Sequence, residues 1–194
     1  MKFVVAAAAI AAMGIAAPAM AQEASAPTTT GLYGNLGWAG TDTHDSMTNS
    51  IQGRAGWRFG RYLGVEGEVS GGLNTDHYTF APGTAGQTTV GEKQALAGAG
   101  YLVGFLPVAP RLDLLARVGY GASRYDLSPA GLPGYHVNED GVRFGAGAQY
   151  FFDNANGVRA DYTREQMDNI TDPAGYFAGD HHADVGAVSF VHKF

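Results

Sequence analysis

Ile51-Gln52-Gly53-Arg54-Ala55-Gly56-Trp57-Arg58-Phe59, followed after Gly60-Arg61-Tyr62 by Leu63-Gly64-Val65-Glu66-Gly67-Glu68-Val69, is the stretch that decides the fold. Ile51, Gly53, Ala55, Trp57 and Phe59 fall on one face; Gln52, Arg54, Gly56 and Arg58 fall on the other. Beyond the break, Leu63, Val65, Gly67 and Val69 alternate with Gly64, Glu66, Glu68 and Ser70. A period of two belongs to strands, because successive side chains leave a pleated backbone on opposite sides. A tight turn that pairs Trp57 with Val65 and Phe59 with Leu63 keeps the apolar residues together. The same register sets Arg54 opposite Glu68 and Arg58 diagonal to Glu66.

The pattern recurs along the chain. Leu32, Leu36 and Trp38 alternate with Tyr33 and Asn35. Leu112, Leu114, Ala116, Val118 and Tyr120 alternate with Arg111, Asp113, Leu115, Arg117 and Gly119. Val142 to Phe152 alternates with Arg143, Gly145, Gly147, Gln149 and Phe151; Val158, Ala160 and Tyr162 alternate with Arg159, Asp161, Thr163 and Glu165. Val188, Phe190, His192 and Phe194 close the series against Ala187, Ser189, Val191 and Lys193. Gln94 to Pro110 is uncharged, but its glycines and Pro107 argue against a spanning helix. Ala95 to Phe105 therefore reads as a strand. Glu92 and Gln94 set its polar parity, which sends Ala97, Ala99, Tyr101, Val103 and Phe105 outward. Pairing Phe152 with Val158 places Gln149 opposite Asp161 and Arg143 diagonal to Glu165.

Eight such strands alternate between long connections, roughly 40–50, 71–89, 126–140 and 167–182, and short ones at Gly60–Tyr62, Pro107–Pro110 and Asp153–Gly157. Short turns at one end and longer loops at the other are the pattern of an all-β, eight-stranded antiparallel transmembrane β-barrel. Aromatics near strand ends, including Trp57, Phe59, Phe105, Tyr150 and Phe152, suit interfacial girdles. A soluble sandwich would alternate too, but its inner face would not carry so many charges.

Composition is consistent with this reading. The 194 residues include 29 Gly and no Cys, with 15% charged and 45% hydrophobic side chains. Thiol chemistry and disulfides are excluded. A net charge of -6 disfavours a nucleic-acid partner. Residues 1–21 read as a cleavable signal peptide: Lys2, an apolar Phe3–Ala17 run, and the small residues Ala19 and Ala21 before the cleavage point. Residues 22–29 are a polar lead-in, and 30–194 the barrel domain.

Gly31-Leu32-Tyr33-Gly34, the Gly53–Gly67 hairpin, Ala116-Arg117-Val118-Gly119-Tyr120-Gly121 and Gly141-Val142-Arg143-Phe144-Gly145-Ala146-Gly147 together resemble the small outer-membrane barrels of the OmpA-like, porin-family type. The resemblance implies a monomer in the outer membrane of a Gram-negative cell, surrounded by its lipid. It also implies that Phe190 and Phe194 form the signal read by the barrel-assembly machinery, with His192 where an aromatic or apolar residue is more usual.

The inward polar face supplies the site candidates. Arg54, Arg58, Glu66, Glu68, Arg117, Arg143, Asp161 and Glu165 are expected to form an interior ladder of arginine–carboxylate contacts, since charges in a narrow lumen need partners. His44, His77, His136, His181 and His182 lie in or beside loops with acidic neighbours, which suits a divalent metal. No tight ligand spacing accompanies them, and no cofactor is expected. His44-Asp45-Ser46 holds the residue types of a hydrolytic site in a loop, so a lipid A-modifying enzyme is the least favoured reading. A narrow porin-like channel is the alternative. The preferred reading is non-enzymatic: envelope integrity or surface adhesion, with the loops available to a surface ligand.

Overall fold

The computed structural model describes residues 30–43, 47–80, 87–171 and 181–194. The expected signal peptide and lead-in lie outside these residues, as does His44-Asp45-Ser46. Among the described residues nine strands run in order: β1 (Gly31–Asp42), β2 (Met47–Phe59), β3 (Leu63–Gly72), β4 (Asp76–Phe80), β5 (Thr88–Ala109), β6 (Leu112–Pro129), β7 (Tyr135–Phe151), β8 (Asn156–Thr171) and β9 (His181–Lys193). Each pairs antiparallel with its neighbours, and β1 pairs with β9. β3 and β4 both pair with β5 and share one position in the wall, so the barrel has eight staves and is closed. Closure satisfies the strand edges, which a bilayer cannot do.

The outer surface is a continuous apolar band, from Leu36, Ile51, Val69 and Leu102 to Val118, Phe144 and Val188, all exposed. At its lower edge stand Trp57, Phe59, Tyr150, Phe152 and Phe190, also exposed. At its upper edge Tyr162 donates to Asp184 Oδ1 at 2.6 Å, and Tyr120 donates to Asp140. A ring in lipid with its hydroxyl on a polar group is how tyrosine marks a membrane interface.

The short turns fix register at the periplasmic end. Gly60, with φ of 67°, makes the β2–β3 turn, and Trp57 faces Val65 as the alternation requires. The β7–β8 turn is built around Asp153, whose carboxylate accepts from the backbone N–H of Ala155 at 2.8 Å and of Asn156 at 2.6 Å. The side-chain amide of Asn156 adds a bond, and together these hold the Asp153 carboxyl below the usual carboxylate range. This turn sets Tyr150, rather than Phe152, opposite Val158. The slip is two residues, so every side chain keeps its face. The consequence is that Gln149 faces Arg159, not Asp161, and Glu165 lies directly opposite Arg143.

β5 corrects the sequence reading outright. Ala97, Tyr101, Val103 and Phe105 are buried inside the barrel, while Leu96, Leu102 and Leu106 face lipid. The register against β6 shifts between Gln94 and Leu96, leaving Ala95 as an extra residue. A bulge of this kind inverts the parity of the strand beyond it. Gln94 points inward as expected, and so do the odd-numbered residues after the bulge.

The strands also run further than expected. β6 ends at Pro129 and β7 starts at Tyr135, where a connection of 126–140 was expected, and β4 forms inside the expected 71–89 loop.

Candidate functional site

The interior is polar at mid-height and apolar towards the periplasm. Five arginines, Arg54, Arg58, Arg117, Arg143 and Arg159, and five carboxylates, Glu66, Glu68, Asp113, Asp161 and Glu165, are buried inside the barrel. Among the lower of them pack Tyr33, Tyr101, Val103, Phe105, Leu115, Phe151 and Val191. Towards the extracellular mouth a smaller cluster joins Val90, Leu127 and Val137.

Arg54 uses all three guanidinium nitrogens: Nε on Glu68 at 2.7 Å, Nη1 on Asp161 at 2.7 Å and Nη2 on Gln52 at 2.6 Å. Arg159 does the same, with Nε on Asp161 Oδ1 at 2.9 Å and both terminal nitrogens on Glu66, Nη2 at 3.1 Å. Arg117 bonds Glu68 at 3.1 Å and donates to Thr163, with its guanidinium stacked 4.5 Å over the Tyr101 ring. Arg143 meets Glu165 at 3.0 Å and Ser123 at 2.8 Å. Tyr33 and Tyr101 donate to Glu66 and Glu68 at 2.8 and 3.3 Å. The planar fork of arginine suits this work, since it bonds several carboxylates in fixed directions.

The ladder residues picked from sequence therefore all lie inside, but one partner differs from the expected one and one pair meets in a different register. Arg54 meets Glu68 directly across the hairpin. Arg58 does not pair with Glu66; its Nη1 reaches Asp113 on β6 at 2.7 Å. The guanidinium lies 4.2 Å over Phe105, which aims it across the lumen, and Glu66 is taken by Arg159 and Tyr33. Arg143 bonds Glu165 from the directly opposite position. Arg159 and Asp113 were not singled out, although both sit on the polar parity of their strands. Arg159 is 1% exposed and joins both halves of the network.

The histidines of the described residues lie on β4, β7 and β9. His77 lies on β4 and His136 on β7, where its Nδ1 is 2.6 Å from Asp126 of β6. His182 faces Gln166 and His181 faces Met167 in the β8–β9 register. Among the described residues no group of three or more His, Asp or Glu could hold a metal ion. His192, in the terminal segment, bonds Asn156 at 2.8 Å and stands edge-on to Phe194, ring centroids 4.7 Å apart. Phe194 N–H donates to the Leu32 carbonyl at 3.0 Å, so the last residue still closes the seam with β1.

A closed antiparallel barrel with a lipid-facing apolar band and a polar interior defines an integral protein of the bacterial outer membrane. The chain belongs to the outer membrane protein beta-barrel domain family, whose profile matches residues 7–188. No curated protein sequence matches it significantly. Its fold is similar to Neisserial surface protein A, at 12% identity and a TM-score of 0.62 over 84% of this chain and 97% of that one. It is likewise similar to OprG from Pseudomonas aeruginosa, at 13% and 0.62 over 87% and 98%. Ail, the attachment invasion locus protein of Yersinia pestis, solved with the heparin analogue sucrose octasulfate, aligns at 12% and 0.56 over 85% and 99%. At these identities the likeness is one of fold.

Proposed function

We propose that this protein is a monomeric, non-enzymatic barrel with a closed lumen, which anchors in the outer membrane and acts through its extracellular rim in envelope integrity or surface attachment. The supporting observation is the Arg159–Glu66 pair. β8 and β3 are four staves apart whichever way the wall is followed, so this contact crosses the full width of the lumen. Eight strands enclose little more than their own side chains, and here those side chains are bonded to one another across the lumen.

The working surface is then the rim. β6 continues nine residues past Tyr120 to Pro129, roughly 30 Å along the strand at about 3.3 Å per residue. Asp42, Asp76, Asp126, Asp140 and Asp184 outnumber Lys93, Arg124 and Arg164 on these extensions. Such a rim fits a neutral or cationic surface better than a polyanion. The test compares cells bearing the full chain with cells bearing a variant whose four extracellular connections are cut to two-residue turns. Loss of adherence to a host-cell layer, with the barrel still assembled, is expected. Equal adherence and equal detergent resistance in cells with the full chain, the trimmed chain and no chain would overturn the proposal.

A further inference from the structure

The periplasmic mouth of the lumen is not filled like its centre. A cavity of about 240 Å³ opens there, walled by Tyr33, Phe105 and Phe151 and by the polar side chains of Arg58, Gln149 and Lys193. Asp113 accepts from Arg58 Nη1 at 2.7 Å and from Gln149 Nε2 at 2.9 Å. That holds both side chains at the wall, with Arg58 Nε and Gln149 Oε1 turned away from the cavity and without a partner among the described residues.

The charge there is incomplete. Arg58 is answered by Asp113. Lys193 is not answered: its Nζ lies 3.4 Å above the centre of the Phe151 ring, and no carboxylate stands within ion-pair distance of it among the described residues. An aromatic face stabilises an ammonium only in part, and a half-buried one still favours an anion. The cavity thus offers one ammonium without an ion-pair partner among the described residues, and three aromatic walls.

We propose that this mouth binds a small monocarboxylate with an apolar, aromatic body. The carboxylate takes Lys193, and the apolar body packs on Tyr33, Phe105 and Phe151. A doubly charged phosphate fits less well, because the cavity has no second free cation among the described residues and a phosphate brings no apolar body to its aromatic walls.

Calorimetry on the refolded protein in lipid nanodiscs tests this, with hippurate as the probe, the uncharged amide of hippurate as its control, and empty nanodiscs to subtract partition into lipid. Hippurate should bind saturably at one per barrel, and the amide at least tenfold more weakly. Lys193→Gln should weaken hippurate at least tenfold and leave the amide unchanged, whereas Lys193→Arg should retain hippurate. A gel shift on boiling verifies that each variant is folded. Absence of saturable binding, equal binding of hippurate and its amide, or full-strength hippurate binding by Lys193→Gln would overturn the proposal. The comparison of the two probes on the unaltered protein decides the matter even if a variant fails to assemble.

Discussion

Arg159 of β8 grips both carboxylate oxygens of Glu66 on β3, at the opposite side of the barrel, while its Nε holds Asp161 on its own strand. Neither residue could find this partner in its own hairpin. The bond ties together two walls that the backbone ladder joins only through three intervening strands on either side.

Arg159→Ala should lower stability by about 3–5 kcal/mol, because it strands Glu66 and half of Asp161 in a lumen with little water. Urea unfolding of refolded protein in detergent micelles is the measurement. Arg159→Met combined with Glu66→Leu should recover most of the loss, since a packed apolar pair avoids the desolvation that the ion pair must offset. A double variant as unstable as the sum of its parts would argue against the coupling.

Gly56 offers a steric test of the same network. A Cβ at this inward position would lie 2.5 Å from Tyr33 Cζ and 2.8 Å from the Val65 carbonyl oxygen. Tyr33 donates to Glu66, so Gly56→Ala must push the ring off its acceptor or bend β3. A loss of about 1–3 kcal/mol is expected. The same unfolding assay reads it, and Tyr33→Phe in the Gly56→Ala background should then cost less than Tyr33→Phe alone.

The faces of most strands were legible because a lumen and a bilayer impose opposite chemistries on alternate residues. What failed was whatever that alternation does not encode. β5 is apolar on both sides below Gln94, so nothing in its composition betrays the extra residue at Ala95. The β7–β8 register slipped by two, a change that leaves both faces intact and is set by the Asp153 turn alone. Arg54–Glu68 could be read because a three-residue turn fixes that hairpin. Arg58–Asp113 and Arg159–Glu66 could not, since which side chains meet across a lumen depends on strand stagger around the whole barrel. Arg159 itself was visible on the inward parity of its strand, next to Asp161.

Stability should also depend on pH through Glu139, which lies above the lipid-facing band, between the polar outward residues Asn138 and Asp140. Burial, with the nearby carboxylates Glu92 and Glu165, pushes its pKa up to about 7, against a smaller opposing effect of Arg143. As pH rises, the unfolded chain loses this proton first, near the ordinary value of about 4.3. Between there and 7 the folded state binds more protons than the unfolded one, so stability falls with rising pH. Glu139→Gln should therefore gain stability relative to the unaltered protein at pH 8 compared with pH 4.5. A pH-independent difference between the two would contradict the assignment.

Phe194 and export form a further test. Its backbone closes the seam with β1 and the residue is 77% exposed, available to the assembly machinery that the family resemblance invokes. Deleting Phe194 should lower the amount of heat-modifiable barrel in outer-membrane fractions several-fold. N-terminal sequencing of the exported chain should begin at Gln22. Normal levels of the deletion variant would remove Phe194 from the assembly signal.

The claim on which the functional reading turns is that the lumen is closed, and planar-bilayer recording of the refolded, unaltered protein tests it most directly. The cross-lumen contacts of Arg159, Arg54 and Arg58 predict a silent membrane at applied voltages of about 100 mV, a field worth about 2.3 kcal/mol per elementary charge and less than a buried pair resists. Steady ohmic steps from protein whose gel mobility shows it to be folded would contradict the account and make the barrel a narrow pore.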